Sequence, residues 1–256
     1  MDRLLFQSLA AAKTQGTIRA QLTNDLANTS TPGFKKSFDH VLLRSVKVTA
    51  DYGYQTRYQP VVQHSNVVDL RPGAQIETSR ALDIAMQDQT VLGVRSDNGQ
   101  IGFTRRGDLK IDGDGTLMTG DGLEVAGEGG AAIVVPPQTT ISIANDGTVN
   151  AAFPDEPEGE AIPIGQLMLR DSSEQVLVRR KDGLYEAQGS NGDGGDFENG
   201  PNPIGIQTGV LEGSNVSPIE AMVRLIDFSR SFEAQVNVIK ESKDNDQSGA
   251  TMMRVS

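Results

Sequence analysis

At 256 residues with 37% apolar side chains, the chain can bury one large core or two small ones and is too apolar for wholesale disorder. A formal net charge of −11 repels phosphate backbones, so nucleic acid is not an expected partner, and the lack of cysteine excludes disulfides, thiolate catalysis and cysteine-based zinc sites. No run reaches the ~20 apolar residues of a membrane-spanning helix and no basic amphipathic segment suits an anionic lipid surface, so no membrane insertion is expected.

Arg3 followed by LLFQSLAAA has the outline of a secretion signal, but Gln7 and Ser8 interrupt the apolar stretch, so no cleaved signal is expected. Leu4 to Asn28 instead reads as a helix roughly 37 Å long. On a wheel of ~100° per residue, Leu4, Leu5, Ala11, Ala12, Ile18, Leu22 and Leu26 share one broad side, interrupted by Gln15 and Arg19. Asn28 suits a helix end, and Pro32 cannot continue a helix.

Residues 29–70 mix β-branched and charged residues and read as an extended arm. Residues 71–208 read as a β-rich domain. Short turn-bounded segments recur at Ile101–Arg105, Leu109–Ile111, Ile133–Val135, Thr140–Ile143 and Gln175–Val178. Asx-Gly turn signals punctuate them at Asp112–Gly115, Gly120–Gly122, Asn145–Gly147 and Lys181–Gly183. Asp155–Glu160 and Asn191–Pro203 read as loops.

Residues 209–256 carry the second helix. Ser217 caps it, Pro218 takes the first helical position and Glu220 completes a capping box, giving a helix from Pro218 to about Ser242, again roughly 37 Å long. Two terminal helices of equal length invite pairing. Ile219, Met222, Val223 and Ile226 form one apolar stripe; Leu225, Phe228, Phe232, Val236 and Ile239 form another, rotated round the axis. One stripe can pack on the first helix while the other needs a neighbour, or both can lie in one core; the wheel does not choose.

Catalytic patterns fail. His40 and His64, the only histidines, lie outside the β-rich segment, and no G-x-S-x-G elbow is present. Asp112-Gly113-Asp114-Gly115 opens like a calcium loop, but Leu117 and Leu123 stand where its Gly and Glu are required. The acidic loops lack aromatic sugar platforms, and Gly192, Gly194 and Gly195 lead into no phosphate-binding helix. No catalytic residue, cofactor or metal is expected.

The helix end is more specific. DLANTSTPGFK resembles the N-terminal signature of bacterial flagellar axial proteins, N-x-L-A-N-x-x-T-P-G-[FY], at Asn24, Leu26, Ala27, Asn28, Thr31, Pro32, Gly33 and Phe34. ALDIA (Ala81–Ala85), GFTRRGDLKIDGDGTLMTGDGLEVAG (Gly102–Gly127) and TGVLEGSNVSPIEAMVRLI (Thr208–Ile226) are similar to further segments of that family. Asp88–Gly93 departs from it, standing where the family has G-x-G-F-F.

The resemblance implies an α+β protein whose N- and C-terminal helices pair as a coiled-coil domain, with an extended arm and an inserted, mainly antiparallel β-domain. It implies a structural subunit of the flagellar basal-body rod, most like proximal-rod subunits, with a distal-rod subunit the alternative. An accessory binding module and a cell-wall hydrolase are the competing readings. Such a subunit packs into a tubular drive shaft that transmits torque and encloses an export channel. Its expected partners are copies of itself, other proximal and distal rod subunits, and the flagellar export apparatus, which delivers it to the periplasm without a cleaved signal. Leu4, Leu5, Ala11, Ile18, Leu22 and Leu26 on the first helix would form the assembly surface with Ile219, Met222, Leu225, Ile226, Phe228, Phe232, Val236 and Ile239 on the second. Asn24, Asn28, Thr31, Pro32, Gly33 and Phe34 would turn the chain outward, Pro32 by fixing its backbone and Gly33 by allowing positive φ.

Overall fold

The computed structural model describes residues 2–47, 58–153, 161–189 and 195–254. Along the chain run α1 (Asp2–Ala27), β1 (Ser37–Lys47), β2 (Tyr58–Val68), β3 (Gln75–Glu77), β4 (Ile84–Met86), β5 (Thr90–Arg95), β6 (Ile101–Thr104), β7 (Leu109–Ile111), β8 (Leu117–Thr119) and β9 (Glu124–Val125). There follow β10 (Thr140–Ile143), β11 (Thr148–Ala152), β12 (Ile162–Gln166), β13 (Leu169–Asp171), β14 (Leu177–Arg179), β15 (Tyr185–Ala187), β16 (Ile206–Thr208), β17 (Val210–Glu212) and α2 (Pro218–Arg254). Two compact units result: one holds α1 and α2, the other spans Ser30–Asn215.

The second unit is antiparallel. Its largest sheet runs β1-β2-β14-β15-β6-β5-β9-β8-β7, with β13 also pairing β5; β10-β11-β12 form a second sheet, and β16-β4 and β17-β3 form two-stranded ribbons. β5 is an interior strand, paired with β6, β9 and β13, and alternation explains its double burial. Leu92 and Val94 enter a core with Ile84, Leu109, Leu117, Val149 and Ile206. Val91, on the opposite face, enters another with Phe103, Met168, Leu177 and Tyr185.

The expected α+β fold organised by a coiled-coil pair is overturned. Strands dominate the described residues and helices occur only at the two ends, so the molecule is mostly β. Among the described side chains no heptad seam is buried either. Ile219 is 75% exposed and Met222, Val223 and Ile226 are about half exposed, as are Phe232, Val236 and Ile239 to a lesser degree. Ala221 alone is buried among the described side chains of α2. The physical reason is the pattern: a coiled coil needs apolar residues every 3.5 positions on one narrow stripe, whereas those of α2 spread round its axis. On α1 the buried described positions are polar, Gln15 and Asp25, with Ile18 exposed. The inserted antiparallel β part of the expectation fits.

The segment expected to be an extended arm carries β1 and β2, paired from Ser37↔Val68 to Lys47↔Tyr58. Val67↔Val178 ties the base of this hairpin to β14. His40 stands opposite Ser65 and His64 opposite Val41. The expected acidic loop Asp155–Glu160, and Gly192 and Gly194, lie outside the described residues.

Beyond β15, residues 195–203 form a strap held by two consecutive residues of β13. Arg170 pairs with Asp196 (2.7 Å) and Glu128 (2.9 Å). Asp171 is 2% exposed and its carboxylate accepts from Ser173 Oγ (2.7 Å) and from the Asn202 N–H (2.8 Å). Phe197 packs on buried Phe103 with ring centroids 4.6 Å apart. Burial alone would raise the Asp171 pKa, but the bonds from Ser173 and Asn202 outweigh it and hold the carboxyl below its ordinary value. A depressed carboxyl stabilises the fold above its unfolded pKa, and that contribution disappears as pH falls through the folded value. Protection of the strap amides should therefore fall below pH about 4, while β5 and β6 stay protected. Hydrogen exchange corrected for intrinsic rates checks this, and Asp171→Asn should abolish the transition.

Candidate functional site

The candidate site is the junction where the chain enters the Ser30–Asn215 unit and leaves it. Entry begins at the end of α1. The Asn28 N–H donates to the carbonyls of Asn24 (3.1 Å) and Asp25 (3.2 Å), Asn28 Nδ2 donates again to the Asn24 carbonyl, and Thr29 Oγ1 donates to that of Leu26. These bonds satisfy carbonyls the helix leaves open. The chain then reverses: the Phe34 N–H donates to the Thr31 carbonyl, with Pro32 and Gly33 at the two central positions and Gly33 at φ +67°. Proline followed by positive-φ glycine is the type II turn pattern.

Gly33 is needed twice over. Its N–H donates to the Glu212 carbonyl at 2.6 Å, and a Cβ there would overlap the Arg105 carbonyl group and the Arg106 Cα. Three sequence segments thus meet at one point: the TPGFK turn, the FTRRG segment and the VLEGSN segment.

Their side chains form a buried charge cluster. Lys35, Arg105 and Glu212 are 0%, 1% and 3% exposed. Lys35 Nζ lies 2.6 Å from Glu212 Oε1, and Arg105 Nη2 lies 2.7 Å from Glu212 Oε2. The Gly73 N–H also donates to Glu212 Oε1. Two cations face one anion, and both also donate to backbone carbonyls. Arg105 donates to the carbonyls of Met86, Asp88 and Thr90, and Lys35 to that of Arg71. Asp88 adopts φ +44°, which an aspartate tolerates better than most residues. Burial is the main influence on Lys35 and pulls its pKa below the ordinary value; Glu212 opposes this and Arg105 adds to it. Every charge has partners, the condition under which such burial is tolerated.

Asn215 closes the junction. Its N–H donates to the Phe34 carbonyl, its Oδ1 accepts from the Lys36 N–H at 2.7 Å, and its Nδ2 donates to the carbonyls of Asp69 and Arg71. Arg179 lies over the Phe34 ring, 4.4 Å from its centroid, and donates to the Lys35 carbonyl.

Of the turn residues expected from the sequence, Asn24 and Asn28 end α1, and Thr31, Pro32, Gly33 and Phe34 make this turn. The expected assembly residues are on the helices. Leu4, Leu5 and Ala11 sit in α1, their side chains outside the described set; Ile18 is exposed and Leu22 and Leu26 are half-buried. Leu225 and Phe228 on α2 are half-buried, with the Phe228 and Phe232 rings stacked 6.3 Å apart, and Ile219, Met222, Ile226, Val236 and Ile239 are exposed. Lys35, Arg105, Glu212 and Asn215 were inside the quoted motifs but not singled out. The usable signal was period two: Val210 and Glu212 alternate with Leu211, which puts Glu212 on the face of a buried valine.

Comparison with known proteins follows the same segments. The family described as "Flagellar hook protein FlgE/F/G D1 domain" matches residues 85–151, and "Flagellar basal body rod FlgEFG protein C-terminal" matches residues 207–252. The chain is 37% identical to the flagellar basal-body rod protein FlgF of Salmonella typhimurium and 35% identical to FlgF of Escherichia coli, with 96% of each chain covered in both cases. It is 26% identical to the flagellar basal-body rod protein FlgG of Bacillus subtilis, over 95% of this chain and 96% of that relative.

Proposed function

The chain belongs to the flagellar basal-body rod protein family, and on that premise we propose a division of labour between its two units. It is a structural subunit of the bacterial flagellar rod, located in the basal body. In our reading the exposed apolar surface of the helices packs against neighbouring rod subunits, while the β unit is a prefolded body that the helices carry into the shaft. The partners in this reading are copies of itself and other rod subunits. The export apparatus delivers the chain without a cleaved signal, and the rod crosses the periplasm. The FlgF relatives support a proximal place in it. The relatives are rod proteins by name, so the role is structural rather than catalytic.

One observation carries the packing role. A 37-residue helix has large apolar side chains exposed on more than one side: Ile219, Met222, Val223 and Ile226 on one, and Phe232, Val236 and Ile239 on the other. Contiguous apolar surface of this kind marks an interaction site. Truncating an interface aromatic commonly costs about 2 kcal/mol or more. Phe232→Ala should therefore reduce the yield of rods in a complemented deletion strain while leaving the melting temperature of the purified subunit unchanged. Phe228→Ala should act in the same direction. A subunit of lowered melting temperature that still enters rods at the normal yield would remove this reading.

A further inference from the structure

Long-range pairings in the β unit are nested. Val149↔Gly165 lies inside the Gly127↔Leu167 bridge, which lies inside Leu92↔Leu169. That pairing lies inside Ala85↔Gln207, and this one inside Ile76↔Leu211. Outermost is the Lys35–Glu212 ion pair, whose members stand 177 positions apart. Val67↔Val178 and Tyr185↔Phe103 cross this series within the large sheet. Nesting makes the order of closure matter, because bringing two segments together costs entropy that grows with the free chain between them. Once Leu92 and Leu169 are paired, much of the chain between Ala85 and Gln207 is tied down. Pairing these two leaves only a short stretch to order before Ile76 meets Leu211. In the reverse order Lys35 and Glu212 must meet across the whole unit with nothing yet gained inside it.

The apolar reward is distributed in the same way. The first core draws Leu92, Val94, Leu117, Val125 and Val149 from the inner layers, and the β4–β16 ribbon adds Ile84, Met86 and Ile206 to it. The β3–β17 ribbon adds little: β3 is exposed throughout, and β17 buries Val210 together with the Glu212 carboxylate. A lone carboxylate resists leaving water. Its burial becomes favourable once Lys35, Arg105 and the Gly73 N–H are there to meet it. Arg105 is already held by the carbonyls of Met86, Asp88 and Thr90 at the end of β6.

We propose that segments 33–36, 73–77 and 206–215 form a latch that shuts last, over a sheet already formed inside it. β4 pairs only with β16 and β3 only with β17 among the described residues, so neither early strand has a partner until the latch segment 206–215 arrives. A chain that emerges N-terminus first therefore stays open at its edge until residues 206–215 follow. In the rod reading this keeps the chain threadable during export. That use rests on the rod reading, whereas the order of closure is a property of one molecule and is tested on one.

Full-length protein is refolded from urea, pulse-labelled with deuterium at increasing times and read segment by segment by mass spectrometry. Amides of 90–95 and 165–171 should become protected at least about tenfold sooner than those of 75–78 and 206–213. The latch amides have defined acceptors to report closure: the Thr78 N–H donates to the Gly209 carbonyl and the Gly213 N–H to that of Ala74. Val210→Ala should leave the protection rate of 90–95 within about twofold of wild type and raise the unfolding rate about tenfold, as a late-forming contact requires. If that variant does not fold, the wild-type time course still decides. Protection of all four segments at one rate, or of the latch first, would overturn the proposal. So would a Val210→Ala chain in which 90–95 is slowed as much as 206–213. None of these results would touch the rod reading, which is judged on incorporation of the Phe232→Ala subunit.

Discussion

Glu212→Ala should destabilise the β unit by about 3–5 kcal/mol, the usual consequence of removing one member of a buried ion pair. The reason is what remains. Lys35 and Arg105 keep their positions, both essentially inaccessible to water, with no anion between them. The Gly73 N–H loses its acceptor as well. Lys35→Met should cost less, because it leaves Glu212 and Arg105 as a balanced pair. The pH dependence separates the two changes. Burial already holds the Lys35 pKa below its ordinary 10.5, so the unfolded chain binds the proton more tightly than the folded one. Stability therefore rises with pH between the folded value and the unfolded one. Without Glu212 the folded value drops further and this window widens toward neutrality; with methionine at position 35 the window disappears. Urea denaturation of the three proteins at neutral and alkaline pH checks both the loss and its slope. A Glu212→Ala protein as stable as wild type at neutral pH would show that the cluster does not stabilise the fold.

Gly33→Val is the second large effect, and it combines two penalties. A β-branched residue at φ +67° carries strain on the order of 1–3 kcal/mol. The added Cβ also overlaps the Arg105 carbonyl group. That backbone cannot yield easily, since the Arg105 side chain is bonded to Glu212 and to three carbonyls. Gly122 provides the control. It too has positive φ, at +92°, but a Cβ there meets nothing within 4 Å. Alanine at 122 should show only the conformational penalty, about 1 kcal/mol, and alanine at 33 should cost clearly more. Equilibrium unfolding of the two alanine variants and of Gly33→Val tests the order. Equal losses at 33 and 122 would mean that the close approach to Arg105 relaxes freely.

Local chemistry was the readable part of this sequence. The turns at Asp112–Gly115, Gly120–Gly122, Asn145–Gly147 and Lys181–Gly183 stand where Asx-Gly pairs mark them, each closed by a backbone bond to its glycine. Ser217, Pro218 and Glu220 start α2 as capping chemistry requires, with Ser217 Oγ 3.4 Å from the Glu220 N–H. What depends on distant partners was less readable. Ile133–Val135 alternates like a strand and buries its two outer side chains, but pairs only briefly, through the Thr116↔Val134 bridge, because Pro136 and Pro137 follow and have no N–H to continue the ladder. The helix expected to stop near Ser242 continues to Arg254, through Asp244, Asn245 and Gly249, residues of low helix propensity. The coiled coil was inferred from equal helix lengths and from resemblance; neither reports whether the apolar stripes of one helix fit those of another. The charge cluster was hidden for a similar reason. Lys35, Arg105 and Glu212 are separated by 70 and 107 positions, and each alone is an ordinary charged residue beside a motif.

In the proposed packing, neighbouring subunits cover the apolar faces of α2. Hydrogen exchange of α2 measured in a verified monomer and again in isolated rods tests it most directly. The helix should open locally in the monomer, with residues 219–239 exchanging far faster than β5 and β6, and should become protected in rods while β5 and β6 change little. Protection of 219–239 in the monomer equal to that in rods would contradict the claim.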